Sequence, residues 1–167
     1  MAGLGVKLVG LTRILARFQA KALNKDFTPA LKLASLVLIR SVGLNFAQGG
    51  RPTGWAISQR AQEQSGRTLR DTGVLAAAVG ASGTRSARAQ KGKTSKYDGK
   101  AHSATGINRV EPLRLTFGVS CPYAAPMQFG FRNKHRGGVF VPGRPFLMIQ
   151  PEDRQKIIDL LTKMVTK

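Results

Sequence analysis

Ser120 and Cys121 stand side by side, and His135 follows them in a basic, glycine-rich stretch. A thiol becomes a nucleophile only when a base is held against it. One cysteine and one histidine at unknown separation fit a packed cysteine better than a Cys121–His135 pair. The only other histidine is His102, so no set of ligands for zinc can be assembled and no internal disulfide can form. The eight Asp and Glu are scattered, and Glu152 with Asp153 suits the first turn of a helix better than an acid/base dyad. No Gly-x-x-x-x-Gly-Lys-Ser/Thr loop and no Gly-x-Ser-x-Gly elbow occurs. The expectation is a protein that is not an enzyme, with no catalytic residues, no metal and no cofactor.

What the residue types do support is attraction of polyanions. Twenty-seven Lys and Arg oppose eight acids, giving a net charge of +19 spread along all 167 residues. Such a surface draws nucleic acid, acidic protein faces or anionic lipid. The cations concentrate in two places. From Ser82 to Asn108, Arg85, Arg88, Lys91, Lys93, Lys96 and Lys100 meet only Asp98 among Gly, Ser, Thr and Ala. Too little apolar surface is present there to offset ordering, which predicts an exposed basic insertion loop or arm. From Gly130 to Gly138, Arg132, Lys134 and Arg136 lie in a projecting loop. The lone cysteine suits a reducing compartment such as a cytoplasm.

Around these segments the periodicity predicts one α+β domain over residues 1–167. Leu4, Leu8, Leu11, Leu15 and Phe18 recur at helical spacing. The basic, acid-free first 25 residues also resemble a transit peptide or a membrane-surface helix. No uninterrupted apolar run reaches the ~18 residues of a membrane span, and a core-facing first helix is preferred. A second helix follows, with Thr28 as N-cap, Pro29 in its first turn, and Leu31, Ala34, Leu38 and Val42 on its buried stripe. Trp55 anchors the chain after a glycine-rich break, a helix ends near Gly66, and Asp71 or Thr72 caps a short helix holding Leu75. Leu113, Leu115, Phe117 and Val119 alternate with polar or small residues, which marks a strand with one wet face. A second strand runs through Gly137–Pro142, and a closing helix from Pro151 buries Ile157, Leu160, Leu161, Met164 and Val165. The fold class is therefore N-terminal helices, a small mostly antiparallel sheet and a C-terminal helix. Pro142 and Pro145 stiffen a corner around Arg144, which would hydrogen-bond carbonyls or a carboxylate such as Asp71. Phe146 would plug the core, while Tyr123, Gln128 and Phe129 close a helix onto the sheet.

Four pieces in order resemble the phage virion morphogenesis family, the tail-completion and neck proteins of Mu-like and P2-like tailed phages. They are "GGRPTGW" with Trp55; "LRDTGVL" with Leu69, Thr72 and Gly73; "YAAPMQFG" with Tyr123, Gln128 and Gly130; and "VPGRPFL" with Pro142, Arg144, Pro145 and Phe146. The acidic "EDRQKI" opens the last helix as in relatives. The chain departs from the family at Gly143, where Ala is usual, at Met127, where relatives often carry His, and in the 82–108 insertion.

The resemblance implies a structural virion protein, assembled in the host cytoplasm and lodged at the head–tail interface. It implies a homo-oligomeric ring, commonly a hexamer, placed between connector and tail terminator or tube proteins. Double-stranded DNA would pass through its channel, and no membrane is involved. The clustered cations would then contact DNA or partner proteins. Charge alone supports a second reading, a nucleic-acid-binding protein of ribosomal or chromosomal type.

Overall fold

The computed structural model describes residues 4–6, 26–63, 66–70, 73–81, 83–88, 101–134 and 137–166. They form β1 (Leu4–Val6), α1 (Thr28–Gln48), α2 (Gln59–Glu63), α3 (Val74–Ala78), β2 (Gly83–Arg88), β3 (Ala101–Glu111) and β4 (Arg114–Ser120). After these come α4 (Ala124–Phe129), β5 (Gly130–Asn133), β6 (Val139–Pro142) and α5 (Pro151–Thr166). The architecture is α+β with two antiparallel sheets and a C-terminal helix.

α1 is the spine of the core. Leu31, Ala34, Leu38 and Val42 are buried at spacings of three and four, as the sequence predicted, and Ala30 and Phe46 are buried with them. Their stripe packs against α5 on one side and against β3 and β4 on another. The cap differs from expectation. Thr28 is already helical, and its N–H donates to Asp26 Oδ1 at 2.8 Å, so the carboxylate two residues upstream satisfies the orphan donor. That bond, with a second from the Thr28 hydroxyl, holds the Asp26 carboxyl below its ordinary range.

α1 is long and apolar enough to cross a membrane by length and composition, with mean hydropathy 1.5 over its best window, although Lys32 and Arg40 interrupt any unbroken apolar run. Half of that window is buried inside the protein. Ser41 and Asn45 on the buried side also bond to protein groups, which makes α1 a core helix.

The larger sheet has the order β1-β4-β3-β2. Leu115, Phe117 and Val119 of β4 are buried and face α1, while Leu113 lies in the preceding turn at 54% exposure and outside the strand. Two segments depart from the sequence reading. Leu4–Val6 is a strand, with Leu4 opposite Val119 and Val6 opposite Phe117; the rest of the expected first helix lies outside the described residues. The ends of the 82–108 segment are also strands, with Gly83–Arg88 paired along Ala101–Gly106. The burial argument overlooked two contributions. A backbone ladder needs no large side chains, and small residues allow close approach. Ala104 is buried, and a Cβ on Gly106 would collide with the carbonyl oxygens of Ala78 and Ala81.

α5 bears out its predicted polarity, with Glu152 and Asp153 in its first turn and Lys163 in its last. Ile157 and Leu161 are its most buried side chains. β5 and β6 make a separate two-stranded hairpin, registered Gly130 to Pro142 and Asn133 to Val139.

Candidate functional site

The motif residues converge on one corner of the core. Phe146 is fully buried and lies 5.5 Å from the ring of Phe46, which meets Trp55 edge-on at 5.7 Å. Trp55 donates its backbone N–H to Gly49 O at 2.6 Å, while its indole N–H is buried without a hydrogen-bond partner among the described residues. Arg144 is buried, donating Nε–H to Ala56 O at 3.0 Å and its backbone N–H to Met127 O at 2.7 Å. Its first role is thus the predicted bond to a carbonyl; Asp71 and Thr72 lie outside the described residues. Burial pushes the Arg144 guanidinium pKa down.

Gln128 Oε1 accepts the Leu147 N–H at 3.1 Å, tying α4 to the chain beyond the corner. Pro142 is exposed at the end of β6 and Pro145 is half-buried. A Cβ on Gly143 would lie 2.8 Å from the Phe129 carbonyl carbon and 2.9 Å from Gln128 O. An Ala at this position would therefore need the junction of α4 and β5, at Gly130, to move. Phe129 does not close onto the sheet as predicted. It is 69% exposed, because α4 ends at Gly130 and the backbone swings into the hairpin.

Arg51 organises a buried polar network that the sequence did not disclose beyond its place in "GGRPTGW". Arg51 Nε–H donates to Asn45 Oδ1 at 2.8 Å, and an η nitrogen donates to Ser41 O and Oγ at 2.9 Å. Ion pairs reach Asp153 at 3.5 Å and Glu152 at 3.6 Å. Asn45 spends both amide hydrogens, at 3.0 Å, on the carbonyls of Phe146 and Met148. Gln150 Nε2 donates back to Arg51 O at 2.9 Å. The glycine-rich break, the proline corner and the acidic helix start are thus parts of one joint.

The third motif segment shapes α3. Leu69 holds a positive φ of 59° in a turn closed by the Arg67–Arg70 bridge, and it packs partly against the core. Gly73, with φ 75°, is the N-cap residue of α3; the proposed capping side chains of Asp71 and Thr72 are outside the described residues.

The local electrostatics do not prepare Cys121 as a nucleophile. Burial pushes the Cys121 thiol up, the reverse of an activated thiolate. Tyr123, half-buried beside it, is pushed up to about 12 by the same desolvation, with the Cys121 charge adding to it. His135 lies outside the described residues, so the Cys121–His135 pairing has no geometry. No cluster of three or more metal-ligating side chains exists among the described residues.

The candidate cations divide in space. Arg85 is exposed on β2 opposite Ala104, and Arg88 stands at the end of that strand opposite Ala101. Lys91, Lys93, Lys96, Lys100 and Arg136 are outside the described residues. Arg132 and Lys134 are exposed on the hairpin. The register adds two cations that sequence reasoning did not single out. Arg109 and Arg114 are exposed on the sheet face opposite the one that packs on α1, and Thr84 and Thr105 share a hydroxyl contact of 2.8 Å on that same face. Strand alternation was the signal for them.

The phage virion morphogenesis family matches residues 6–166, nearly the whole chain. The chain belongs to that family. No curated protein and no solved structure matches it. Membership makes this a phage virion morphogenesis protein of a structural family.

Proposed function

We propose that this family member is a non-catalytic part of the head–tail connection, a neck or tail-completion subunit that forms a ring around the DNA channel. The observation that carries the reading is the family match over residues 6–166. Its motifs fall at a rigid frame and leave cationic surfaces free, which suits a scaffold between partners better than a catalyst. In this reading the polar sheet face with Arg109 and Arg114, and the end of the β2–β3 ladder at Arg88, look toward the duplex. Contacts of that kind neutralise phosphates and release counterions. Connector and tail proteins would flank the ring above and below.

The experiment is deletion of the gene, followed by electron microscopy of the lysate and native mass measurement of the purified chain. Separate accumulation of filled heads and finished tails, together with a closed homo-oligomer, is the expected result. Normally joined particles would overturn the neck assignment. A strictly monomeric chain, even when heads and tails are present, would overturn the ring.

A further inference from the structure

The β5–β6 hairpin is apolar on both faces. Val139 and Phe140 are neighbours on β6, so they point to opposite sides of the ribbon, and each is 60% exposed. Phe140 stands across from Arg132, with its ring tip over Gly130, while Val139 stands across from Asn133. Phe129, 69% exposed, lies at the hairpin's base. A flat partner can cover one of these faces and leaves the other in water. Two strands alone are also marginal in water and keep unpaired edges. The shape and chemistry call for a cleft that closes on both sides.

The identity of the occupant follows from charge. Arg132 and Lys134 are exposed on the ribbon, and no Asp or Glu occurs between Cys121 and Pro151. A second copy of this chain is a poor complement, because it carries 27 Lys and Arg against eight Asp and Glu and most of its described carboxylates already hold local partners. Asp26 holds the Thr28 N–H, Glu63 accepts from Gln59, and Asp159 accepts from Gln155. Glu152 and Asp153 pair with Arg51. Duplex DNA would satisfy the cations but presents phosphates and stacked bases, with no apolar wall for valine and phenylalanine. We infer that the hairpin is a tongue that inserts into an apolar, acid-rimmed cleft of a different virion protein. This rests on the virion role proposed above.

The test places a photoreactive benzophenone side chain at position 139 or position 140 of the full-length chain, one at a time, in phage particles purified before irradiation. Mass spectrometry first confirms the wild-type chain in the particle; its absence there overturns the virion role itself. With the chain present, the tongue predicts adducts from both positions to one protein other than this chain, on peptides containing Asp or Glu. Adducts to a second copy or to DNA, or adducts from only one position, overturn the tongue and leave the virion role standing. As a second arm, Arg132→Glu with Lys134→Glu should lower titre at least about 100-fold by opposing an acidic rim, with the melting temperature unmoved. An unchanged titre contradicts the acidic rim.

Discussion

Phe146 and Tyr123 occupy the same structural neighbourhood and answer different questions about it. Phe146 is fully enclosed against Phe46, so Phe146→Ala should cost about 3–5 kcal/mol through lost burial and an unfilled cavity. A urea titration with an unmoved midpoint would remove it from the core. Tyr123 reports through pH. Its folded-state pKa of about 12 exceeds the ordinary tyrosine value of 10.0, so above pH 10 the folded chain holds a proton that the unfolded chain releases. The stabilisation by the neutral phenol is complete below that point and drains away between pH 10 and 12. Cys121, also shifted upward, adds a loss of the same sign starting from lower pH. Tyr123→Phe should flatten the fall of stability across the upper window. An equally steep fall in the variant would show that Tyr123 is not its source.

At the level of elements, two glycines make a paired prediction. Gly43 lies on the exposed side of α1 with nothing near its missing Cβ, so Gly43→Ala should stabilise the subunit by roughly 0.5–1 kcal/mol. Gly106 sits beneath the end of α3, so Gly106→Ala should destabilise by more than about 2 kcal/mol through overpacking. Thermal melts of the two variants shifting in the same direction would contradict the packing described. The contrast shows what the sequence made legible. α1, β4 and α5 announce themselves because their large apolar residues repeat with the period of the element that buries them. β2 and β3 do not, since a ladder anchored by Ala104 and Gly106 has the composition of a loop. Leu4–Val6 is too short to distinguish the helical period from the strand period, and its partner, β4, lies far along the chain. The corner was legible in part: prolines and Phe146 marked it, whereas the roles of Asn45 and Arg51 depend on partners that no local pattern reveals.

On the scale of the whole molecule, charge and fold are separable. Arg85 on β2 is exposed and away from the core. The small, polar composition around Arg85, Arg88, Lys91 and Lys93 implies that reversing all four to Glu should leave unfolding free energy within about 0.5 kcal/mol, the usual range for surface changes. Titre or DNA retention should fall. A large loss of stability with normal infectivity would invert that assignment. The Arg51 joint has a different consequence, in time rather than in space. Asn45 bonds to Phe146 across 101 residues, and Arg51 reaches Asp153 across 102. A ribosome makes α1 well before the groups that satisfy its buried amide, which follow Asn45 by 101 and 103 residues. Before those residues exist, Arg51 can bond only to Asn45 and Ser41, and the amide hydrogens of Asn45 lack the carbonyls of Phe146 and Met148. The joint is thus completed only when both ends of this long loop are present, and a chain cut short before α5 would leave Arg51 without the carboxylates of Glu152 and Asp153.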